Sequence, residues 1–591
     1  MKKIINKPET LVMEMCNGMV MAHPELELLK KYKVIKKKEM NENKVTLISG
    51  GGSGHEPAHA GLVGKGMLDA AVCGDVFASP SQIQVYQAIK ETASKKGTLL
   101  IIKNYSGDIM NFKNGAHLAT EDGIEVDYVK VDDDIAVEDS LYTVGRRGVA
   151  GVILVHKIAG AAAEAGMDLG AVKAVAEKAV ANVRTIGLAL TSCTVPASGS
   201  PTFTLAEDEM EYGVGIHGEP GIKREKTLSA DELANRMTND LIKDLGVKDG
   251  EEIALLVNGF GGTPLQELYL FNNAVTRELA ARNIKINRVF VGNYMTSIDM
   301  AGMSLTVMKL DDELKTLLSK ECNTPAFKVD GPVESVEYVN VLEDVEEKEV
   351  SFEIETAEEH AVIKDNVITL NNMIYLVDKM SDIIIKNEVP FCELDTHAGD
   401  GDFGMSVAKG FKQLKREWHS ILGQENVTIG SFLDGCSMII MEHCGGASGP
   451  IWGGAFRAAS KAASKAASKA AGEKRELTAK EFAEILQAAL QGIQSIGERS
   501  FGRGAVVGDK TLVDALAPCV DSWLASASNE VDVKTAFEKG AEAAVKGAEY
   551  TKEIVARMGR AGTVGERSLG YPDAGAHALG VIFTEIAGSL R

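Results

Sequence analysis

The sequence predicts a multidomain chain, a two-lobed α/β part followed by an all-α part, on three observations. Its 591 residues exceed the size at which one hydrophobic core keeps growing. β-branched runs alternate with amphipathic stretches as far as Gly331. Beyond an acidic stretch the strand signal nearly vanishes, and alanine-rich helical patterns run to Arg591.

Taken in order, strands are expected at VTLIS (45–49), LDAAVCG (68–74), TLLIIKN (98–104) and IEVDYVKV (124–131), with helical patterns between them. The rhythm continues through GVILVHK (151–157), VRTIGLALTS, the helix-like DELANRMTNDLI, then IALLVNGF, INRVFVGN and MSLTVMKL. Residues 1–332 therefore read as an α/β domain of two lobes. Residues 333–362 are acidic and aperiodic and read as a linker. Residues 363–591 read as an all-helical domain whose helices are separated by glycine-rich breaks. Inside it, the AASK repeat sets Lys461, Lys465 and Lys469 along one solvated helix face. The cluster KKYKVIKKK at 30–38 reads as another such face.

Composition narrows the function. A formal net charge of -21 repels nucleic acid, and any anionic substrate must be captured locally against that field. The 8 cysteines form no CxxC pair, which suits reduced thiols and a cytoplasmic protein, with Cys73, Cys193 and Cys444 as small core fillers. No apolar run has the length of a signal peptide or a membrane helix, so neither a membrane nor a nucleic acid is an expected partner.

The strongest chemical signal is LDTHAGDGDFG, Leu394 to Gly404, which crowds Asp395, Asp400 and Asp402 among glycines. Carboxylates this close repel unless a hard cation sits among them. An EF-hand is excluded, because Ser406 stands at the twelfth place from Asp395 and Met405 at the sixth from Asp400. Magnesium binds few carboxylates and completes its shell with water and phosphate, which points to a nucleotide held through its metal. Three further glycine-rich breaks, HCGGASGPIWGGAF, GRGAVVGDKTLVDALAP and GRAGTVGERSLGYPDAGA, bring amides and helix starts to receive phosphates.

The first part carries its own candidates. ISGGGSGHEPAHAG at 48–61 follows a strand and is expected to open a helix, with His55 and His59 able to share its face. It fits neither GxGxxG nor a Walker A loop. KNYSGDIMNF ends a strand with Lys103, Asn104, Ser106 and Asp108, where α/β sheets hold ligands, though Ser106 and Asp108 also suit a helix cap. GVGIHGEPG sets His217 among glycines in an exposed loop that a small ligand can approach closely.

In order, GGGSGHEPAHAG, CGDVFASP, KNYSGD and GIHGEPG resemble the substrate half of dihydroxyacetone kinases. LDTHAGDGDFG, GGASGP, GDKTLVDALAP and GRAGTVGERSLGYPDAGA resemble their nucleotide half. The resemblance implies a fusion of a two-lobed α/β substrate domain with an antiparallel helical barrel that holds Mg²⁺ and ATP. It implies that His217 forms a hemiaminal with the substrate carbonyl, that His55 and Asp108 act as acid and base, and that Gly52, Ser53, Gly54 and Lys103 contact the substrate. By the same resemblance Asp395, Asp400 and Asp402 are the magnesium ligands. Phe403, Gly404, Met405, Ser406, Ala447, Ser448, Thr511, Leu512, Arg560, Asp573, Ala574 and Gly575 match the nucleotide contacts. Arg503 and Val507 depart from the family's GGAxPGD pattern, and Phe403 and Leu512 from its usual residues.

The activity so implied is ATP-dependent phosphorylation of dihydroxyacetone, within glycerol metabolism. The alternatives are a kinase for a four-carbon ketose such as erythrulose and a non-catalytic ketose sensor. Because both halves are fused, free ATP is the expected donor rather than a phosphorylated carrier protein. A homodimer is the expected assembly, with docking in cis or across the dimer left open.

Overall fold

The computed structural model describes residues 2–137, 145–219, 221–341, 356–469, 476–558, 562 and 564–591. The chain divides into two compact units, Met1–Asp344 and Val345–Arg591. Of the acidic stretch 333–362, residues 342–355 lie outside the described residues. Its last residues belong to the second unit, where Arg591 N–H donates to the Ala361 carbonyl at 3.0 Å and Ile363 N–H to Arg591 at 2.9 Å.

The first unit holds two six-stranded sheets. One is built from β1 (Leu26–Leu29), β2 (Val34–Lys37), β3 (Thr46–Ser53), β4 (Ala70–Val76), β5 (Thr98–Lys103) and β6 (Val126–Val131) in the order β1-β2-β4-β3-β5-β6. Strands β4, β3, β5 and β6 run parallel, and β3 and β5 are buried along their whole length, so neither shows the alternation of a strand with one solvated face. The second sheet is built from β7 (Val183–Ala189), β8 (Glu209–Tyr212), β9 (Lys223–Lys226), β10 (Glu252–Gly259), β11 (Lys285–Gly292) and β12 (Gly302–Leu310) in the order β11-β10-β12-β7-β8-β9. The unit's helices are α1 (Leu11–Ala22), α2 (Gln82–Thr92), α3 (Ser106–Glu121), α4 (Val152–Glu164), α5 (Leu169–Ala181), α6 (Ala230–Leu245), α7 (Leu265–Ala281) and α8 (Asp312–Ser319). Local chemistry sets their ends. Ser81–Gln84 and Ser229–Glu232 form capping boxes, and Gly246 closes α6 at φ 62°, a left-handed angle costly for other residues.

Three expectations are corrected here. GVILVHK is not a strand but the start of α4, whose residues from Val152 to Ala163 are all buried. A helix covered on every side shows no 3.6-residue alternation, so its apolar run imitates a buried strand. KKYKVIKKK is a short 3₁₀ turn and strand β2, not a helix face; Lys36 pairs with Glu27 and Lys37 with buried Asp69, each at 2.6 Å. The glycine cluster opens no α-helix. Gly50 and Gly51 continue β3 against β4, where a Cβ at Gly50 would lie 2.3 Å from the Val72 carbonyl oxygen, and the loop beyond contains one 3₁₀ turn, Ala60–Leu62.

The second unit comprises α9 (Leu370–Lys386), α10 (Glu388–Asp395), α11 (Phe403–Arg416), α12 (Trp418–Leu422), α13 (Ile429–His443), α14 (Gly454–Lys469), α15 (Ala479–Phe501), α16 (Val513–Ser528), α17 (Val533–Tyr550) and α18 (Ala574–Ser589). Helices α9, α11, α13, α14, α15, α16, α17 and α18 pack each on the next, and α18 returns to α9, closing a ring. Apolar side chains including Met373, Trp452, Phe482 and Phe537 line its interior. Buried Lys415 joins α11 to α9 through Asp378 at 2.7 Å and Asp382 at 2.6 Å. The unit is not wholly helical, because Val367–Thr369 and Glu476–Thr478 form a two-stranded antiparallel pair. No helix among the described residues is long and apolar enough to cross a membrane.

The close approach of α4 to the loop before β4 is testable. A Cβ on Gly160 would lie 2.2 Å from the Gly66 carbonyl oxygen, so Gly160→Ala is expected to lower stability by about 1–3 kcal/mol in denaturant unfolding of the full chain.

Candidate active site

In the first unit the carboxyl end of β3, the start of α3 and the β8–β9 loop converge on a pocket. Ligands gather at such strand ends because the chain diverges there and leaves a crevice. Gly52, Asp108 and His217 line the pocket, with Phe77, Ser79, Tyr105, Ser106 and Gly107. A Cβ on Gly52 would lie 2.6 Å from the Ala78 nitrogen, so the glycine lets β3 close against the turn that carries Phe77.

His217 is not openly exposed. Its side chain is 19% accessible, in a cage where the rings of His55, Phe77 and Tyr105 meet it with centroids 4.7, 5.0 and 4.7 Å away. His217 Nδ1 donates to Glu219 Oε1 at 2.9 Å, and its backbone N–H donates to Glu219 Oε2 at 2.8 Å. His55 is fully buried behind it, with Nδ1 donating to the Thr296 carbonyl at 2.8 Å and Nε2 lying 3.0 Å from His217 Nε2. A carbonyl and a carboxylate only accept, so both Nδ1 atoms carry protons and the two Nε2 atoms share one more. Burial, then His217 and Lys103, hold His55 well below the usual imidazole range.

Asp108 does not cap α3. Its side chain is buried, accepts from Ser79 Oγ and lies 3.4 Å from the buried Lys103 ammonium. Ser53 sends its hydroxyl to the Gly74 carbonyl at 2.7 Å, and neither it nor Gly54, Lys103 or His55 is part of the pocket wall. His55 and His59 do not share a helix face. His59 Nδ1 is 3.0 Å from His156 Nε2 on α4, where burial lowers His156 to about 3.

In the second unit an open cleft with about 1010 Å³ of empty space carries the aspartates. Ligand oxygens of Asp395, Asp400 and Asp402 lie within 4.8 Å of one another, and this all-carboxylate set suits a hard divalent cation. Gly401 N–H donates to Asp395 at 3.0 Å, and a Cβ on Gly399 would lie 2.2 Å from its Oδ1. Phe403, Ser406, Ala447, Ser448, Thr511, Leu512, Asp573, Ala574 and Gly575 all line the cleft. The starts of α11, α16 and α18 therefore face it, and the positive ends of these helices make it receptive to phosphate. Gly404 and Met405 do not line it: 100° per residue turns them off the face shared by Phe403 and Ser406. Gly404 instead packs on the Glu388 carbonyl. Arg560 lies outside the described residues. Burial pushes Asp573 up to about 7, with Asp514 and Asp395 adding to it.

Sequence reasoning missed Phe77, Ser79, Tyr105, Glu219 and Lys510. Each stood inside a glycine-containing motif, but nothing in residue type distinguished it from its neighbours. Lys510 is buried and donates to the carbonyls of Tyr571 at 2.8 Å, Ile554 at 3.2 Å and Ser568, tying together the chain that leads to Asp573.

These two sites fit what the chain is similar to. Residues 17–326 match the Dak1 domain family and residues 397–588 the DAK2 domain family. Triokinase/FMN cyclase of Rattus norvegicus is 35% identical over 99% of this chain and 98% of its own length. D-erythrulose kinase of Mycolicibacterium smegmatis is 33% identical over 99% of this chain and 98% of its own. The crystal structure of the dihydroxyacetone kinase from C. freundii in complex with AMP-PNP and Mg²⁺ superposes with a TM-score of 0.59 at 30% identity, covering 100% of this chain and 99% of the other. With an α/β Dak1 domain and a helical DAK2 domain on one polypeptide, the chain belongs to the dihydroxyacetone kinase family.

Proposed function

We propose that the protein transfers the γ-phosphoryl group of ATP to a short ketose, dihydroxyacetone first, which it holds as a hemiaminal on His217. The observation that carries this reading is the caged imidazole: Nδ1 is committed to Glu219, and Nε2 stands at the pocket beside a buried, neutral His55. An imidazole nitrogen adds to a carbonyl and not to an alcohol, so the site selects against glycerol by reactivity rather than by shape.

In the proposed reaction His55 takes the proton from His217 Nε2, the freed lone pair attacks the carbonyl carbon, and the carbonyl oxygen receives the proton. The adduct fixes the terminal hydroxyl for in-line attack, and Asp108 accepts its proton. The Gly52 backbone and the Lys103 ammonium complete the surroundings. In the helical unit Asp395, Asp400 and Asp402 would hold Mg²⁺, and the cleft residues from Phe403 to Gly575 named above would hold ATP. Bound there, Mg²⁺ would neutralise charge on the phosphate oxygens as transfer proceeds. The C. freundii relative with AMP-PNP and Mg²⁺ supports both assignments.

A four-carbon ketose is the second reading, favoured by the D-erythrulose kinase relative. Capture needs only the carbonyl, and the pocket rim around Phe77, Ser79 and Tyr105 sets the length accepted.

Coupled assays of full chain with MgATP should give a higher kcat/KM for dihydroxyacetone than for either erythrulose enantiomer; the reverse order would transfer the assignment to the longer ketose. Intact mass after incubation with dihydroxyacetone should show an adduct that His217→Ala lacks. Asp400→Ala should cut kcat by more than about a hundredfold and leave that adduct in place; undiminished turnover would remove the metal assignment.

A further inference from the structure

Behind His217 the buried Glu219 carboxylate lies near a buried guanidinium, Arg147, to which the proposed reaction assigns no role. Glu219 is 5% accessible, and both of its oxygens are committed to His217, one to the ring and one to the backbone. Arg147 is fully buried. Its Nε donates to Asp134 at 2.7 Å and its Nη2 to the Gly213 carbonyl at 2.8 Å. The two side chains meet at Gly215, where a Cβ would lie 2.0 Å from Glu219 Oε2 and 2.6 Å from Arg147 Nη1. Nη1 and the nearby Tyr105 hydroxyl are buried and have no hydrogen-bond partner among the described residues. A guanidinium is placed this deep, at the cost of an unpaired donor, paired with Asp134 on one side and near Glu219 on the other.

Resting on the hemiaminal reading of His217, we propose that Arg147 is a positioning residue: through Glu219 it keeps the His217 ring protonated at Nδ1 and presents Nε2 as the ring nitrogen that adds to the ketone. Addition at Nε2 leaves a substituted imidazolium, and the Glu219 carboxylate 2.9 Å away balances its charge. The step is closed in atoms and electrons. The N–C bond forms as the carbonyl π bond breaks, and the oxygen takes the proton that leaves Nε2 through His55.

The carboxylate must remain charged for this to work. Burial alone raises Glu219, but His217 and then Arg147 hold it down to about 2. The groups that face it are His217, Arg147 and Tyr105; Asp134 and Asp133 lie behind Arg147, and His55 and Lys103 lie beyond His217. Because the folded Glu219 is depressed, its contribution is present across the neutral range and is lost as pH falls. Removing Arg147 raises Glu219 and moves that loss to higher pH.

The experiment measures dihydroxyacetone adduct by intact mass against pH in full chain, for wild type, Arg147→Met, Arg147→Lys and Glu219→Gln. The acid limb of Arg147→Met is expected to move up by a pH unit or more, about a tenfold loss of adduct within that window. Arg147→Lys should restore most of it, and Glu219→Gln should lose adduct at all pH values. Should Arg147→Met fail to fold, the Lys and Gln variants carry the test. An acid limb that stays in place in Arg147→Met, adduct reduced equally at every pH, or wild-type adduct in Glu219→Gln overturns the proposal. A wild type without adduct refutes the hemiaminal reading instead, which keeps the two failures apart.

Discussion

The first unit depends on one line of contacts: the Thr296 carbonyl, His55, His217 and Glu219, each joined to the next at 2.8 to 3.0 Å. Its members come from different sheets. His55 follows β3 of the first sheet, while Thr296 follows β11 and His217 lies between β8 and β9 of the second. Two imidazoles meet nitrogen to nitrogen only when the bodies carrying them are fixed. The loop after β11 supplies that fixation, with Thr296 N–H donating to the His55 carbonyl at 3.1 Å and Ile298 N–H to Gly54 at 2.8 Å. Ile298 sits at φ 57°, an angle that costs a β-branched residue on the order of 1–3 kcal/mol, and it sits there where the lobes join at Gly54.

The two units place their charges differently. A chain of net charge -21 repels a nucleotide at long range. The helical unit meets this locally, by turning the positive ends of α11, α16 and α18 into the cleft that holds the aspartates. The α/β unit is built differently. Its polar groups are buried instead, so that a proton and a lone pair stand at defined ring atoms. Lys103 and Asp108, Arg147 and Glu219, and His59 and His156 all lie within its core, and His55 is buried behind the partly accessible His217.

Motifs were legible in the sequence where chemistry requires a particular residue at a particular spacing. The three aspartates, His55, Asp108 and His217 could be named because carboxylates and imidazoles among glycines are costly unless used. Most of the cleft residues came only from the family resemblance of the same segments. Period was less informative: α4 reads as a strand because burial on all sides erases its alternation, and β2 reads as polar because its lysines are paired rather than solvated. Helix geometry divided one run of neighbours, keeping Phe403 and Ser406 at the cleft and turning Gly404 and Met405 away.

By itself, then, the sequence determined composition-level and motif-level facts: an α/β part and a helical part, a carboxylate triad near glycine-rich helix starts, and a histidine in a glycine loop. These follow from local properties, which residue type and spacing encode. Tertiary structure alone decided which partner each of these side chains meets. It paired His55 with His217 rather than with His59, set Glu219 and Arg147 behind the ring, and made Lys510 a clamp on the chain entering α18. A hydrogen bond acts over about 3 Å, and that distance between residues far apart in the chain exists only after the sheets and helices have packed.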